Sequence, residues 1–316
     1  MRTPAPGLPG PVPEPVDPEA HPDGQVLGGE SLLTRYLNLV KFPHTLFALP
    51  FALLGVVAAS RHAPLEWRTV ALAVIAFTAA RWAALGFNMV ADLRFDRENP
   101  RHRRRELPRG ALTVAQALGS VLLAALLFLA AAWAINPLCF RLAPLALGWI
   151  LAYSYAKRFT DWSHLWLGLS LAIAPVGGWL AVTGSWSDPA WALVAITVAV
   201  ATWVGGFDIF YSLPDQHFDR AHGLHSLVAR YGIRRTIGVA RVLHLITLPA
   251  LVLFGIGAGL GPWYQAGVGA AGLILLYEHS LVRPDDLSRL DTAFFTLNAV
   301  MSATVLAFAL LDRLLR

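Results

Sequence analysis

The sequence predicts an all-α membrane protein with about nine spans. Three features carry that reading. Of its 316 residues, 56% are hydrophobic and 14% charged, and the mean hydropathy is +0.54. Nine apolar stretches are long enough to cross a bilayer, with approximate limits 42–60, 69–91, 111–133, 138–156, 164–183, 189–211, 236–257, 262–282 and 291–311. Lys and Arg are strongly one-sided between them. With the N-terminus inside, 18 of the 25 basic residues fall on the cytoplasmic side and five outside, while Arg81 and Arg241 lie within spans.

Residues 1–30 hold eight prolines in the first 22 positions and bury too little apolar surface to fold. A disordered tail is expected there, followed by one membrane domain over 31–316. The tail has no apolar core of a secretory signal. The fourth stretch is interrupted by Arg141 and Pro144, and the sixth runs into Asp208. The net charge of +5 and pI near 9.7 suggest nucleic acid at first sight. The basic residues sit in short interhelical loops, so membrane orientation accounts for them and no nucleic-acid partner is expected. The single cysteine, Cys139, allows no internal disulfide.

Two acidic ladders organise the chemistry. Asn88, Asp92 and Asp96 are spaced i, i+4, i+8 at the end of the second stretch. Asp208, Tyr211, Asp215 and Asp219 are spaced i, i+3, i+7, i+11 at the end of the sixth. Each set lies along one face of a helix. Carboxylates this close to a bilayer are costly, roughly 2.5–3.5 kcal/mol each if buried. If the two faces converge, the carboxylates also repel one another. Such a site asks for divalent cations, and oxygen-only ligands favour Mg²⁺, which readily shares a phosphate-bearing substrate. The expectation is a diphosphate site at the membrane surface. Pro214 should bend the second ladder over it. Tyr211 could orient a carboxylate or a substrate oxygen, or simply pack.

Basic residues follow both ladders. Arg101, Arg103, Arg104, Arg105 and Arg109 come after the first. Most of these satisfy the inside-positive bias, and a few could hold a diphosphate bidentately. After the fourth stretch, Tyr153 precedes Lys157 and Arg158. These two cations suit the negative end of a helix and would equally reach a diphosphate on that face. Phe95-Asp96-Arg97 and Phe218-Asp219-Arg220 hint at a parallel duplication of a four-helix unit, with a ninth helix added.

With these residues in place, the chain resembles the UbiA superfamily of intramembrane prenyltransferases. The motif N-x-x-x-D-x-x-x-D is matched by Asn88, Asp92 and Asp96, and D-x-x-Y-x-x-x-D-x-x-x-D by Asp208, Tyr211, Asp215 and Asp219. The pattern R-T-x-x-R-x-L-P-x-G is matched at Arg101, Arg105, Leu107, Pro108 and Gly110, with His102 in place of the threonine. Y-x-x-x-K-R is matched by Tyr153, Lys157 and Arg158. Gly223 and Ser226 also match, while His225 stands where many members carry lysine. The resemblance runs from about Arg35 to the C-terminus.

It implies nine helices around a central cavity, capped on the cytoplasmic side by the loops after helices 2 and 6. It implies Mg²⁺-dependent transfer of a polyprenyl group from its diphosphate to an aromatic acceptor, in a multi-pass protein of the plasma (inner) membrane. Asp92, Asp96, Asp215 and Asp219 are then the expected metal ligands. Arg81, Arg101, Arg105, Tyr153, Lys157 and Arg158 are the expected substrate-binding residues. Trp82, Phe87 and Phe207 are candidates for an aromatic wall around an allylic cation. Ala48, Ala52 and Gly86 could make room for the acceptor.

The stretches Lys41–Pro50 and Asp219–Ser226, with His44, His222 and His225, resemble the 4-hydroxybenzoate polyprenyltransferase-like branch. Part of that branch uses 1,4-dihydroxy-6-naphthoate in menaquinone synthesis, so both acceptors are in view. Two other readings stand beside this one. A haem farnesyltransferase shares the Asp motifs and would bind spectrally visible haem. A cation-coupled transporter would hold its acids near mid-membrane.

Overall fold

The computed structural model describes residues 27–29 and 31–316, and among them it is almost entirely helical. The expected tail falls outside these residues, except that Leu27 exchanges two hydrogen bonds with Asn38. The His44 side chain also lies outside them. A short helix, Leu32–Leu39, capped by Ser31, leads into the bundle.

The long helices are α1 (Phe42–Ala59), α2 (Trp67–Ala91), α3 (Val114–Ile135), α4 (Pro137–Ala152), α5 (Ser163–Thr183), α6 (Trp191–Ser212), α7 (Ile233–Gly257), α8 (Pro262–Leu281) and α9 (Asn298–Leu315). Each matches an expected stretch to within a few residues, except that α9 begins seven residues after the expected start, behind the π-helical turn Thr292–Leu297. Among the described residues, seven helical segments are long and apolar enough to cross a membrane, fewer than the nine expected. The other two are α1, some of whose side chains lie outside the described residues, and α8, which carries Gln265, Glu278 and His279.

Local sequence explains the ends. Thr113 and Gln116 form a reciprocal cap on α3. Asn136 accepts from the Cys139 amide to start α4 and donates to the Leu180 carbonyl 2.8 Å away, tying α4 to α5. Consecutive helices pack side by side, and α9 returns against α1 to close the ring. Large apolar side chains such as Leu123, Leu245, Leu273 and Leu276 point outward, as a hydrocarbon solvent permits.

The two halves of the ring differ. Helices α6 to α9, with α1, form a solid core around Trp203, Phe207, Phe254 and Met301. Helices α1 to α5 surround an apolar cavity of about 510 Å³. Helices α2 and α6 end at one face, as a parallel arrangement of two halves requires.

Close helix crossings depend on missing side chains. A Cβ on Gly55 would lie 2.0 Å from the Pro175 carbonyl oxygen, and one on Gly168 would lie 2.2 Å from that of Ala201. Small residues at such crossings let backbones touch where burial from water supplies no drive. Gly177, by contrast, lines the cavity and has nothing within 4 Å of its Cβ direction. Gly168→Ala should therefore cost about 1–3 kcal/mol by overpacking α5 against α6. Thermal unfolding in detergent checks this: Gly168→Ala should melt clearly below wild type, whereas Gly177→Ala should melt at the wild-type temperature. Equal melting of all three would mean that the crossing is not close.

Candidate active site

Both ladders share one construction: a long helix stops and a short one folds over its end. Helix α2 ends at Ala91, Asp92 takes φ −96°, ψ 4°, and the short helix Leu93–Glu98 carries Asp96. Helix α6 ends at Ser212, the 3₁₀ turn Leu213–Asp215 contains Pro214, and Gln216–Ala221 carries Asp219. Each ladder thus bends instead of running along one straight face. Pro214 accounts for the second bend, because it lacks the amide that would continue the helix.

The bends bring the carboxylates together around a polar cavity of about 130 Å³. Asp96, Asp215 and Asp219 are buried, and Asp92 is partly open. Every one of the four has a cation beside it. The Arg105 guanidinium donates to both oxygens of Asp96 at 2.9–3.0 Å, and His102 Nδ1 stands 3.0 Å from the same carboxylate. Arg101 reaches across to Asp215 at 2.8 Å, and Asn99 donates to it at 3.4 Å. Lys157 lies 3.7 Å from Asp219 and Arg158 lies 3.6 Å from Asp92. Asn88 donates to Asp92 at 2.9 Å.

The expected cations Arg101, Arg105, Lys157 and Arg158 therefore neutralise carboxylates in this structure. His102, standing where the family pattern has threonine, adds an imidazole contact to Asp96. Burial, then the adjacent Asp96 charge, pushes the Asp92 carboxyl up to about 6. Burial also raises Asp96, but the Arg105 charge and the His102 and Arg105 hydrogen bonds outweigh it and hold that carboxyl below its usual value.

Sequence reasoning missed three partners. Lys41 Nζ donates to Tyr211 Oη at 3.1 Å, and both Lys41 and Arg101 sit over the Tyr211 ring. Lys41 takes a left-handed φ of 46°, a conformation costly for a residue with a Cβ and concentrated at functional sites. His164 Nδ1 lies 2.6 Å from Asp208 Oδ2. Asn99 bridges the two ladders. None belongs to a periodic pattern, so spacing alone could not reveal them. Tyr211 both packs and reaches the site, stacking on Phe294 at 4.6 Å.

The apolar cavity opens beside the polar one, and Asn88 and Tyr153 line both. Arg81 lines the apolar side and donates to Thr45 Oγ1 at 3.2 Å. The expected aromatic wall is different from the one observed. Trp82, Phe87 and Phe207 pack into helix interfaces, whereas Phe77, Phe128, Trp149 and Tyr153 line the cavity. Ala52 lines it as expected. Ala48 is core instead, and Gly86 abuts Val121 of α3.

The donor set suits Mg²⁺. The carboxylates are hard oxygen ligands, and Asp219 Oδ2 is buried without a hydrogen-bond partner. Among the described residues, no three His, Cys, Asp or Glu groups form a ready metal cage. Mg²⁺ needs none when a phosphate supplies further oxygens.

Known proteins agree with this geometry. Residues 48–300 match the model of the UbiA prenyltransferase family. A 4-hydroxybenzoate octaprenyltransferase of Nitrosospira multiformis is 32% identical over 239 residues, covering 75% of this chain and 80% of that protein. One from Vibrio campbellii is 28% identical over 235 residues, covering 74% and 81%. The apo structure of a UbiA homolog from Aeropyrum pernix K1 superposes with a TM-score of 0.78 at 30% identity, over 85% of this chain and 98% of that one. A UbiA homolog from Archaeoglobus fulgidus bound to GPP and Mg²⁺ shares the fold, with a TM-score of 0.69 at 20% identity over 88% and 99%. The chain is a multi-pass membrane enzyme and belongs to the UbiA prenyltransferase family.

Proposed function

We propose that this protein transfers a polyprenyl group from its diphosphate to a carboxylated phenolic ring for quinone synthesis. The observation that carries this is the junction of two cavities. A charged pocket of diphosphate size meets an apolar cavity inside the helix ring. The curated relatives named as 4-hydroxybenzoate octaprenyltransferases support a monocyclic acceptor. The Archaeoglobus fulgidus neighbours bound to GPP and to DMAPP with Mg²⁺ support the donor and the metal.

Asp92, Asp96, Asp215 and Asp219 would hold Mg²⁺. When bound, the metal would offset the charge of the diphosphate and improve it as a leaving group. Arg101, Arg105, Lys157 and Arg158 would exchange their carboxylate partners for phosphate oxygens as the donor enters. Their guanidinium and ammonium groups would then stabilise the charge that builds on the departing diphosphate. Asn88 and Tyr153, which line both cavities, mark where the prenyl C1 would sit. The isoprenoid tail would lie in the apolar cavity along α1 to α5. Phe77, Trp149 and Tyr153 would face the allylic cation with their π faces. Arg81, on the cavity wall two turns below Asn88, would hold the acceptor's carboxylate. The loops after α2 and α6 would cap the site on the cytoplasmic face of the plasma (inner) membrane.

Membranes holding the protein, a polyprenyl diphosphate and both 4-hydroxybenzoate and 1,4-dihydroxy-6-naphthoate should yield prenylated 4-hydroxybenzoate as the main product, and only with Mg²⁺. Asp92→Asn or Asp215→Asn should nearly abolish it, because each removes a hard anionic ligand at constant size. Dominant naphthoate product would reassign the acceptor. Full turnover in excess EDTA, or no product from either ring, would overturn the reading.

Orientation is tested separately. Cysteines placed at Glu98 and His222, with Cys139 removed, should resist an impermeant thiol reagent in intact cells and react after lysis. Ready labelling of intact cells would invert the topology.

A further inference from the structure

Asp208 is the deepest carboxylate of the second ladder. It lies seven residues before Asp215 in sequence, about two helical turns nearer the membrane interior. It lines the same polar cavity as the four acids paired with Arg and Lys, but its hydrogen bond is of another kind. Its own partner is a histidine from another helix. His164 stands in the first turn of α5, and its Nδ1 is 2.6 Å from Asp208 Oδ2. A proton must lie between these atoms, because two bare lone pairs would repel at that distance. With Asp208 ionised, as a proton acceptor must be, Nδ1 is the donor and the carboxylate the acceptor, and the contact restrains both side chains.

The pair has a front and a back. The His164 side chain is 1% exposed and that of Asp208 is 16% exposed. His164 Nε2 is buried without a partner. Both residues line the polar cavity, beside Asn88 and Tyr153 at its junction with the apolar one. Asp208 thus faces the place where donor and acceptor meet, and His164 braces it from behind.

We propose that His164 is a positioning residue that holds Asp208 toward the acceptor ring. The inference rests on the transfer reaction above. In that reaction the C1–O bond of the donor breaks and its electron pair leaves with the diphosphate. A ring carbon of the acceptor then bonds to C1. The C–H bond at that carbon breaks, its electron pair restores the aromatic ring, and the proton passes to Asp208. His164 touches no reacting atom. It acts by keeping the Asp208 oxygen in place through the Nδ1 hydrogen bond.

Three variants read this out. In His164→Asn the amide nitrogen falls where Nδ1 was, so the donor survives. In His164→Gln the amide falls farther out, nearer the place of Nε2, and His164→Leu has no donor. The expected order of kcat is wild type and Asn high, Gln and Leu low, with Leu down roughly 10–100-fold as for other supporting hydrogen bonds of a site. KM for the prenyl diphosphate and the slow release of diphosphate without acceptor should stay at wild-type values in all three. Losses from His164→Leu and Asp208→Asn should not add. Thermal unfolding in detergent, run on every variant, separates misfolding from a lost hydrogen bond, since Asn and Gln disturb packing alike.

Equal kcat for Asn and Gln, additive losses, or a parallel rise in prenyl diphosphate KM would overturn the assignment. Failure of the parent reading looks different: wild-type protein would then prenylate neither ring. In that event a graded series in acceptor-free diphosphate release would place His164 at the donor and overturn the proposal as well.

Discussion

Buried charge is the constraint on which this architecture depends. Asp96, Asp215 and Asp219 are nearly inaccessible, at the edge of a low-dielectric slab. Each would be untenable alone, and none pairs within its own helical turn. Arg101 from the first loop answers Asp215 in the second, and Lys157 and Arg158 from the loop after α4 answer Asp219 and Asp92. The loops are therefore held together by the charges they carry. Removing one partner would leave an uncompensated buried ion, which costs more than the pair contributes. The same balance makes the site receptive. On the proposed reading, a diphosphate with its metal would bring both signs at once and offer new partners to the cations and the carboxylates alike.

Much of this was legible because membranes restrict what a sequence can mean. Apolar length located every long helix, and the two spacings located every ladder residue that the structure gathers. The bend at Pro214 could be read from the residue itself. The bend at Asp92 could not: no proline or glycine marks it, and it exists because Asp96 must turn toward Arg105 and His102. The cavity wall was also illegible. Helices α2 and α6 are apolar nearly all round, so periodicity cannot separate a side facing a cavity from one facing a helix or lipid. Trp82 and Phe87 went into interfaces for that reason, and Phe77 and Phe128 were not singled out. His164 and Lys41 escaped because their partners lie 44 and 170 residues away.

The difference between the two halves of the ring follows from the work of α6. This helix carries Asp208 and Tyr211, and most of its residues are buried. It is pinned on its far side by polar contacts that hydrocarbon makes hard to exchange. Trp203 Nε1 donates to Asn298 Oδ1 at 2.7 Å. Asn298 Nδ2 in turn donates to the Ala293 and Phe294 carbonyls, both at 3.0 Å, and reaches Glu278 at 3.4 Å. Those carbonyls belong to the π-helical turn Thr292–Leu297, where the wider winding frees backbone oxygens that a side chain must satisfy. The same turn presents Phe294 to the rings of Phe207 and Tyr211. Helices α6 to α9 thus give the second ladder a packed wall, with this hydrogen-bond network behind it. Helices α1 to α5 enclose the apolar space in front of it, so one ring of helices holds a solid half that fixes the polar side chains and a hollow half beside them.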